Sequence, residues 1–412
     1  MLSLLSSQNV IQYLLDKGLC GAEDGATYKS VLPENSKKNR NLMVILADNR
    51  QLLIKQECRI NHDQIAHEFF NEWLFHRLLQ QFPVIGNIGA IASSLLHFDE
   101  KNSILVRSYL GEYLDLGKFY QQRSIFPREI ARAIGATLAG LHRATFNKRE
   151  YRDFMSTAPA GQFRYNFYNP AQGIPSITPD IFGTVPAEAL QFHLLYQCYE
   201  SLESAIADLA YEWKPSCLTH NDLHLGNILV HSRWEQLDNC LIRLIDWEAC
   251  SWGDPAFDLG TLLASYLSIW LSSLIVDPTL ELEESLNLAV IPLEALQPTI
   301  LALIQAYLDG FPMILEYHQD FIMRIIKFAG LALIQQIQDR IECQKSFDNR
   351  NLCMLEVAKS LLTMPEQSVL TIFGISELEI CGSLPRLQQP SRPHKQQQLV
   401  PLYYEKTRLR GC

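Results

Sequence analysis

Three oxygen-bearing side chains lie close together in the sequence, in a segment that could bind a metal–nucleotide complex. Asp222 and Asn227 are five residues apart in the stretch HNDLHLGNILV, residues 220–230. An aspartate at the first position can orient an acceptor hydroxyl and take its proton, and an asparagine five residues later can reach a metal ion on the nucleotide. Asp246 follows the apolar run LIRLI, residues 241–245, which predicts a buried strand. A carboxylate at the end of that strand is well placed to chelate Mg²⁺ at the phosphates.

The order of these residues is more informative than any one of them. The apolar strand 228–230 follows Asn227, a polar turn spans 231–239, and a second apolar strand leads to Asp246. An aspartate after a strand is, taken alone, more often a turn former than a ligand. A strand–turn–strand unit, however, brings one base and two metal ligands into a single small volume. The sequence therefore predicts a phosphoryl-transfer site.

The segment 218–260 resembles the aminoglycoside phosphotransferase and choline kinase family. The resemblance is carried by LTHNDLHLGNILV and by LIDWEACSWGDPAFDLG, where Asp-Trp-Glu replaces the Asp-Phe-Gly of related kinases. It implies an α+β, protein-kinase-like fold with a small antiparallel-sheet lobe and a large, mostly helical lobe. It also implies transfer of the γ-phosphate of Mg²⁺-bound ATP to an alcohol group. In that family Asp222 corresponds to the catalytic base, and Asn227 and Asp246 correspond to the metal ligands.

Upstream patterns supply candidate nucleotide contacts. They predict three strands, at residues 26–32, 42–47 and 51–55. Lys55 ends the third strand, where its ammonium group could bridge the α- and β-phosphates and pair with a helical glutamate. The following helix, predicted over residues 64–80, carries Glu68 and Glu72. Glu72 fits the helix register of the family better, so we predict that it is the partner of Lys55.

The segment 33–41 corresponds by position to a phosphate-binding loop. Its backbone amides, Ser36 or its basic side chains would face the phosphates. It has no glycine, the residue that normally lets a backbone approach phosphates closely. A solvated polar hairpin is therefore an equally good interpretation of its individual residues.

Two more strands, predicted over residues 86–98 and 104–110, lead to the connection between the lobes. The second strand resembles the hinge of the family, where backbone groups at Ser108, Tyr109 and Leu110 would bind the edge of adenine. Because side chains contribute little to that contact, the sequence leaves ATP and GTP both open.

Several polar residues are interpreted as support for the catalytic loop rather than as catalysts. His142 ends an amphipathic helix predicted over 127–143, and His220 begins the loop itself. Asp254 and Asp258 are interpreted as structural partners of the catalytic segment. His224 could contact the substrate or simply pack, and we favour packing. The remaining chain is predicted to be largely helical, at residues 192–213, 259–276, 294–309, 313–341 and 351–363.

Composition limits the class of protein. Of the 412 residues, 48% are hydrophobic, which indicates a globular chain. The net charge of −10 argues against a nucleic-acid partner and suits a cationic substrate. Ten cysteines without a C-x-x-C pair favour reduced thiols in a cytoplasmic protein. We expect no signal peptide and no membrane partner, and the charge-free stretch 259–276 is interpreted as a buried helix.

We predict a nucleotide-binding lobe at residues 1–110, a catalytic and substrate lobe at 111–380, and a disordered tail at 381–412. The leading hypothesis is a Mg²⁺/ATP-dependent kinase that acts on a hydroxyl of an amino sugar, an amino alcohol or a similar small molecule. Two alternatives stay open: a kinase of peptide Ser or Thr in a peptide-modification pathway, and a non-catalytic nucleotide-binding pseudokinase. The irregular segment 156–186 leaves room for a small or a peptide acceptor. The sequence does not identify the acceptor, decide between antibiotic resistance and metabolism, or define the oligomeric state.

Overall fold

The protein is described by a computed structural model. It describes residues 4–21, 27–30, 39–46, 48–57, 68–91, 94–158, 169–172, 187–237, 241–275, 284, 286 and 288–382. Ser36 and the tail beyond residue 382, both part of the predictions above, lie outside these ranges.

A five-stranded antiparallel sheet forms the small lobe, with the strand order β1-β2-β3-β5-β4. Its strands are β1 (Thr27–Ser30), β2 (Asn39–Ile45), β3 (Gln51–Glu57), β4 (Leu95–Asp99) and β5 (Ile104–Ser108). Alternate residues of a strand point to opposite faces, and the apolar set of this sheet packs against the helix α1 (Val10–Asp16). That set comprises Leu42, Val44, Leu52, Ile54, Ile104 and Val106. The other face, which we call the cleft face, carries Lys55 and Arg107 and contacts Asp246 and residues 68–81.

The strand register decides which charged side chains share the cleft face. Leu53 is paired with Arg107, and Lys55 is paired with Leu105, across β3 and β5. Paired residues, and residues two apart on one strand, share a face of the sheet. Lys55 and Arg107 are therefore diagonal neighbours on the cleft face.

Two short helices, α2 (Glu68–Gln81) and α3 (Pro83–Gly86), separate β3 from β4. The catalytic segment is formed by two small sheets. One has the order β6-β8-β9, with β6 (Tyr113–Asp115), β8 (Ile228–His231) and β9 (Ile242–Leu244). The other pairs β7 (Cys217–Thr219) with β10 (Ser251–Gly253).

Helices form the rest of the described chain. They are α4 (Leu116–Arg123), α5 (Arg128–Thr145), α6 (Arg149–Met155), α7 (Ala187–Gln197), α8 (Glu200–Tyr211), α9 (Pro255–Ser272), α10 (Leu293–Gly310), α11 (Ile314–Tyr317), α12 (Phe321–Gln344), α13 (Asn349–Thr363), α14 (Pro365–Phe373) and α15 (Glu377–Cys381). Helices α5 and α10 approach so closely that a Cβ added at Gly135 would lie 2.2 Å from the carbonyl oxygen of Leu303. Helix α12 is long and apolar enough to cross a membrane, but 72% of its apolar window is buried inside the protein. It therefore packs as a core helix.

The structure confirms the predicted fold class, an α+β chain with a small antiparallel-sheet lobe and a mostly helical remainder. The strand predicted over residues 86–98 is wrong over much of its length. Residues 83–86 are helical, a 3₁₀ turn follows at 89–91, and β4 occupies only Leu95–Asp99. Pro83 at the first helical position fits the start of a helix, because its missing N–H has no intrahelical acceptor there.

Candidate active site

The catalytic loop is anchored to the helical core through one buried carboxylate. Asp258, in the first turn of α9, accepts the backbone N–H of His220 and of Asn221, each at 2.8 Å. The same carboxylate lies 3.2 Å from Nε2 of His142, whose Nδ1 lies 3.0 Å from the hydroxyl of Tyr307. All these side chains are buried. Asp258 and His142 therefore support the loop, as predicted.

Asn221 holds a left-handed backbone conformation immediately before the predicted base. Its φ is 63°, a region in which a non-glycine residue needs local stabilisation. The side-chain amide of Asn221 donates to the hydroxyl of Ser251 at 2.7 Å and to the carbonyl of Ala249 at 3.0 Å, and it accepts from Thr219 at 2.8 Å. These three hydrogen bonds hold Asn221 in place and so fix the direction in which the side chain of the next residue, Asp222, points.

Asp222 and Asn227 contact each other directly. The side-chain nitrogen of Asn227 donates to the backbone carbonyl of Asp222 at 2.8 Å and to its carboxylate at 3.1 Å. These bonds assign the amide orientation and leave the carbonyl oxygen, the atom that binds a metal, without a partner among the described residues. Asn227 is buried, whereas the Asp222 side chain is 48% exposed. The carboxylate can therefore meet a substrate while its neighbour stays fixed.

Asp246 is held next to the same loop by hydrogen bonds of the preceding residue, Ile245. The N–H of Ile245 donates to the carbonyl of Asn227 at 3.0 Å, and Nε2 of His220 lies 2.8 Å from the carbonyl of Ile245. Asp246 itself has φ 62° and ψ 61°, which turns its side chain out of the line of β9. The structure thus brings the segments of all three predicted residues, Asp222, Asn227 and Asp246, together at one end of β8 and β9.

Two cations bind one oxygen of Asp246. Lys55 Nζ lies 2.5 Å from Oδ1, and a guanidinium nitrogen of Arg107 lies 3.0 Å from the same atom. Burial would raise the pKa of Asp246, but the charges of Lys55 and Arg107 outweigh it and hold the pKa well below its ordinary value. Oδ2 has no hydrogen-bond partner within the described ranges. One carboxylate oxygen is therefore held by the protein and the other is available to a ligand.

The predicted ion pair between Lys55 and Glu72 is replaced by a different one. Glu72 is 1% exposed and lies 3.2 Å from Arg107 and 3.7 Å from His76, and no ion pair joins it to Lys55. Burial favours the protonated acid, but the proximity of the His76 ring and the charge of Arg107 lower the pKa of Glu72 overall. Sequence reasoning missed Arg107. The available signal was a charged residue inside the apolar run ILVRS of β5.

Of the charged side chains that the structure describes in this part of the cleft, carboxylates outnumber lysines and arginines. Burial and the nearby charges of Asp246, Glu68 and Glu72 raise the pKa of Glu248 to about 7, against the opposing effect of Lys55. Carboxylate and amide oxygens are the ligands that Mg²⁺ prefers. Among the residues that the structure describes, no three His, Cys, Asp or Glu side chains are placed to hold a metal ion by themselves. The donor set therefore fits a Mg²⁺ ion that completes its shell with phosphate oxygens and water.

The hinge has fewer free backbone donors than the sequence indicated. The N–H of Ser108 donates to Ser94 and the N–H of Tyr109 donates to Gln51, at 2.9 and 2.8 Å. The N–H of Leu110 has no acceptor in the described part of the chain. Of the three predicted hinge residues, Leu110 is thus the one with a donor left for a ligand.

His224 is half-exposed, which fits substrate contact better than the packing that we favoured from the sequence. Its side chain is 50% exposed, its Nδ1 accepts the N–H of Gly226 at 3.0 Å, and its Nε2 lies 4.0 Å from the Asp222 carboxylate. Because Nδ1 accepts, the neutral ring carries its proton on Nε2, on the side of Asp222. A Cβ on residue 226 would lie 2.8 Å from the His224 ring, so this ring position requires glycine there.

An aromatic stack connects α2 with the catalytic loop. The ring of Trp247 stacks on Phe75 of α2 with centroids 4.0 Å apart, and it lies 4.5 Å from the ring of His220. Its indole N–H donates to the carbonyl of Leu244 at 3.1 Å. The helix that carries Glu72 is thereby fixed relative to the loop that carries Asp222.

Comparison with known proteins gives one family and a set of structural neighbours. The model of the phosphotransferase enzyme family matches residues 39–288, more than half of the chain. A choline/ethanolamine kinase family protein from Mesorhizobium loti is similar in structure, with 16% identity, a TM-score of 0.47, and coverage of 90% of this chain and 100% of that one. The macrolide 2'-phosphotransferase MphH from Brachybacterium faecium has 14% identity, a TM-score of 0.43, and coverage of 87% and 99%. Choline kinase from Cryptosporidium parvum Iowa II has 14% identity, a TM-score of 0.46, and coverage of 92% and 98%. No curated protein sequence gives a significant match.

Proposed function

The chain belongs to the phosphotransferase enzyme family, whose members are enzymes that phosphorylate hydroxyl groups, and on that premise we propose that it transfers the γ-phosphate of Mg²⁺-bound ATP to a hydroxyl of a small molecule such as an amino sugar or amino alcohol. One observation carries the proposal. The exposed carboxylate of Asp222 is hydrogen-bonded to the side chain of Asn227, next to the strand end that leads to Asp246, and Lys55 of β3 contacts Asp246.

Asp222 orients the acceptor hydroxyl in this proposal. Its carboxylate is partly exposed, and the hydrogen bond from Asn227 holds it in one rotamer. The carboxylate accepts the hydroxyl hydrogen bond and takes the proton late, because phosphoryl transfer depends more on alignment and charge than on a strong base. The Nε2–H of His224, on the exposed side of Asp222, can donate a hydrogen bond beside the acceptor substrate.

Asn227 and Asp246 would hold Mg²⁺ through the amide carbonyl oxygen and Oδ2. Bound there, the ion would neutralise the phosphate charge that develops during transfer. Lys55 adds a fixed positive charge for the phosphates, and the N–H of Leu110 would bind the nucleobase edge. Because that last contact is made by backbone, it does not distinguish adenine from guanine.

The acceptor class rests on charge and on the family. The net charge of −10 and the exposed carboxylate at 222 favour a neutral or cationic acceptor over an anionic one. Amino sugars and amino alcohols carry both the hydroxyl and the positive charge. We propose that the enzyme acts in the cytoplasm, where ATP and Mg²⁺ are supplied.

The test is an acceptor screen with purified protein, [γ-³²P]ATP and MgCl₂. The panel contains aminoglycosides, choline-like alcohols, neutral sugars and Ser/Thr peptides, each with and without chelation of Mg²⁺ by EDTA. The expected result is Mg²⁺-dependent label on a small cationic alcohol. Label on peptides alone would favour the peptide kinase, and nucleotide binding without transfer to any acceptor would favour the pseudokinase. A parallel screen with GTP decides the nucleotide.

A further inference from the structure

Arg107 is a buried cation in the cleft to which the steps above give no role. Its side chain is 10% exposed, and its two terminal nitrogens contact different acids. Nη1 lies 3.2 Å from Glu72, and Nη2 lies 3.0 Å from Asp246. A guanidinium holds its donors in a rigid plane, so it can link two carboxylates in a fixed geometry. Arg107 therefore joins helix α2 to the end of β9.

Lys55 forms an ion pair with only one of these two acids, Asp246. Its Nζ lies 2.5 Å from Oδ1 of Asp246, the oxygen that Arg107 also binds. An ammonium group is a compact charge on a flexible stem and can turn towards a new acceptor. When Lys55 turns away, Asp246 still keeps the guanidinium of Arg107. Departure of the lysine thus leaves neither Asp246 nor Glu72 as an unpaired buried charge, a strongly unfavourable state.

We propose that Arg107 is a positioning residue that pairs with Glu72 in place of Lys55 and holds Asp246, so that Lys55 is released to bind nucleotide phosphate. The inference rests on the proposed function only in requiring that the protein binds a nucleotide; it does not require a particular acceptor. Because it concerns binding, it can be tested before any acceptor is known.

Glu72 and Arg107 are partners in one ion pair, yet their replacements should affect nucleotide binding unequally. Glu72→Gln removes an acid that Lys55 does not contact, so the Kd for nucleotide should change by less than about twofold. Arg107→Met leaves Lys55 as the one lysine or arginine of the described residues that is close to Asp246 and Glu72. The two acids should retain Lys55 and raise the Kd about tenfold or more, equivalent to about 1.4 kcal/mol. The combination Glu72→Gln with Arg107→Met frees Lys55 from one acid and should recover at least threefold of that loss.

The measurement is a fluorescence titration of the full chain with a trinitrophenyl derivative of ATP in excess MgCl₂. A thermal melt of each variant establishes that it is folded. Arg107→Lys is the conservative variant, and it should be intermediate because one ammonium cannot bridge two acids. Arg132 and Glu129 form an exposed pair on α5 at 3.8 Å and supply the matched control, Arg132→Met with Glu129→Gln, which should leave the Kd unchanged.

Three results would overturn the inference. The first is a tenfold rise in Kd for Glu72→Gln, which would mean that Lys55 needs Glu72 after all. The second is wild-type affinity in Arg107→Met, provided that this variant melts like the wild type. If Arg107→Met does not fold, the double variant and Glu72→Gln decide the question. The third is absence of nucleotide binding by the wild type, which would remove the proposed function too, whereas binding without phosphate transfer would remove only that function.

Discussion

The carboxylate of Asp222 is the group that the phosphoryl-transfer step uses most directly. Asp222→Asn keeps an oxygen that accepts the hydrogen bond of Asn227, so the loop geometry should persist. The amide cannot take the acceptor proton, and we expect kcat to fall by about 10²–10⁴-fold. The Kd for nucleotide should stay within about twofold in the same titration. Turnover at the wild-type rate would remove Asp222 from its assigned role.

Gly226 and His224 form a coupled pair beside that carboxylate. A methyl group at position 226 would lie 2.8 Å from the His224 ring, so Gly226→Ala must displace the ring from its place near Asp222. If the Nε2–H of His224 contributes one hydrogen bond to the transferring groups, each of Gly226→Ala and His224→Ala should lower kcat/KM by about fivefold to tenfold.

The double variant tests whether both changes act through the same ring. Once His224 is alanine, the extra methyl group meets no imidazole, so Gly226→Ala should have no further effect on kcat/KM. A double-mutant cycle measures this coupling. Independent, multiplicative losses would show that Gly226 matters for another reason.

For individual residues, the sequence predicted those site residues that lie close together in the chain. Asp222, Asn227 and Asp246 lie within one strand–turn–strand unit, so their order in the chain already implied proximity. Arg107 lies 52 positions after Lys55, and only the pairing of β3 with β5 brings the two to the same face. No periodicity within either strand specifies that pairing. The pairing of Lys55 with Glu72 was therefore mispredicted, and the structure places Lys55 against Asp246 instead.

Among the elements, the helices α5 and α10 were predicted well, whereas helix breaks and short connections were not. The predicted helix 192–213, for example, is divided into α7 and α8. Helix α5 has an apolar stripe over eighteen residues and was predicted to within two residues at either end. The segment 86–98 is also apolar, but a short apolar run does not distinguish strand from helix or 3₁₀ turn. The break at His318 likewise divides the predicted helix 313–341 into α11 and α12. Such boundaries depend on tertiary contacts that the local pattern does not encode.

That break carries a histidine that should make the protein sensitive to acid. Burial, together with the nearby charges of Arg324 and Lys214, lowers the pKa of His318 to about 4. In the unfolded chain the pKa is about 6.5, so the unfolded state binds this proton first. The resulting contribution to stability is complete above pH 6.5 and is lost as the pH falls towards 4.

We therefore expect His318→Gln to reduce the loss of stability between pH 7 and pH 5. The wild type should lose about 1 kcal/mol more than the variant over this range, after allowance for the partial solvent exposure of the ring. Urea unfolding followed by circular dichroism at pH 8, 7, 6 and 5 measures the difference. At pH 8 and pH 7 the two proteins should differ by a nearly constant amount. Parallel pH dependence down to pH 5 would contradict the assignment.

Across the whole molecule, the buried apolar residues form two clusters. Their membership does not follow the order of the elements along the chain. One apolar cluster joins α1 to the outer face of the five-stranded sheet, with Leu14 fully buried in it. The larger cluster contains the helical lobe and also α2, through residues such as Phe75 and Leu78. The helix that carries Glu72 therefore belongs by packing to the large lobe, and the sheet that carries Lys55 depends on α1.

This division predicts that the nucleotide-binding face can be lost while the large lobe stays folded. Leu14→Asp would bury a charge in the small cluster, at a cost of at least about 3 kcal/mol to the sheet. All six tryptophans lie in or against the large cluster, at positions 73, 213, 234, 247, 252 and 270. Tryptophan fluorescence should therefore report mainly the large lobe, with Trp73 stacked on a residue of the small sheet, Phe98 of β4. Nucleotide titration reports the cleft.

We expect Leu14→Asp to abolish measurable nucleotide binding and to leave the thermal transition in tryptophan fluorescence within a few degrees of the wild type. Gln12→Asp is the matched control, because residue 12 is exposed on the same helix and an added charge there stays solvated. It should change neither measurement. If Leu14→Asp instead lowers the fluorescence transition together with nucleotide affinity, the two clusters unfold as one cooperative unit, and Arg107 and Trp247 couple the lobes more strongly than their separate cores indicate.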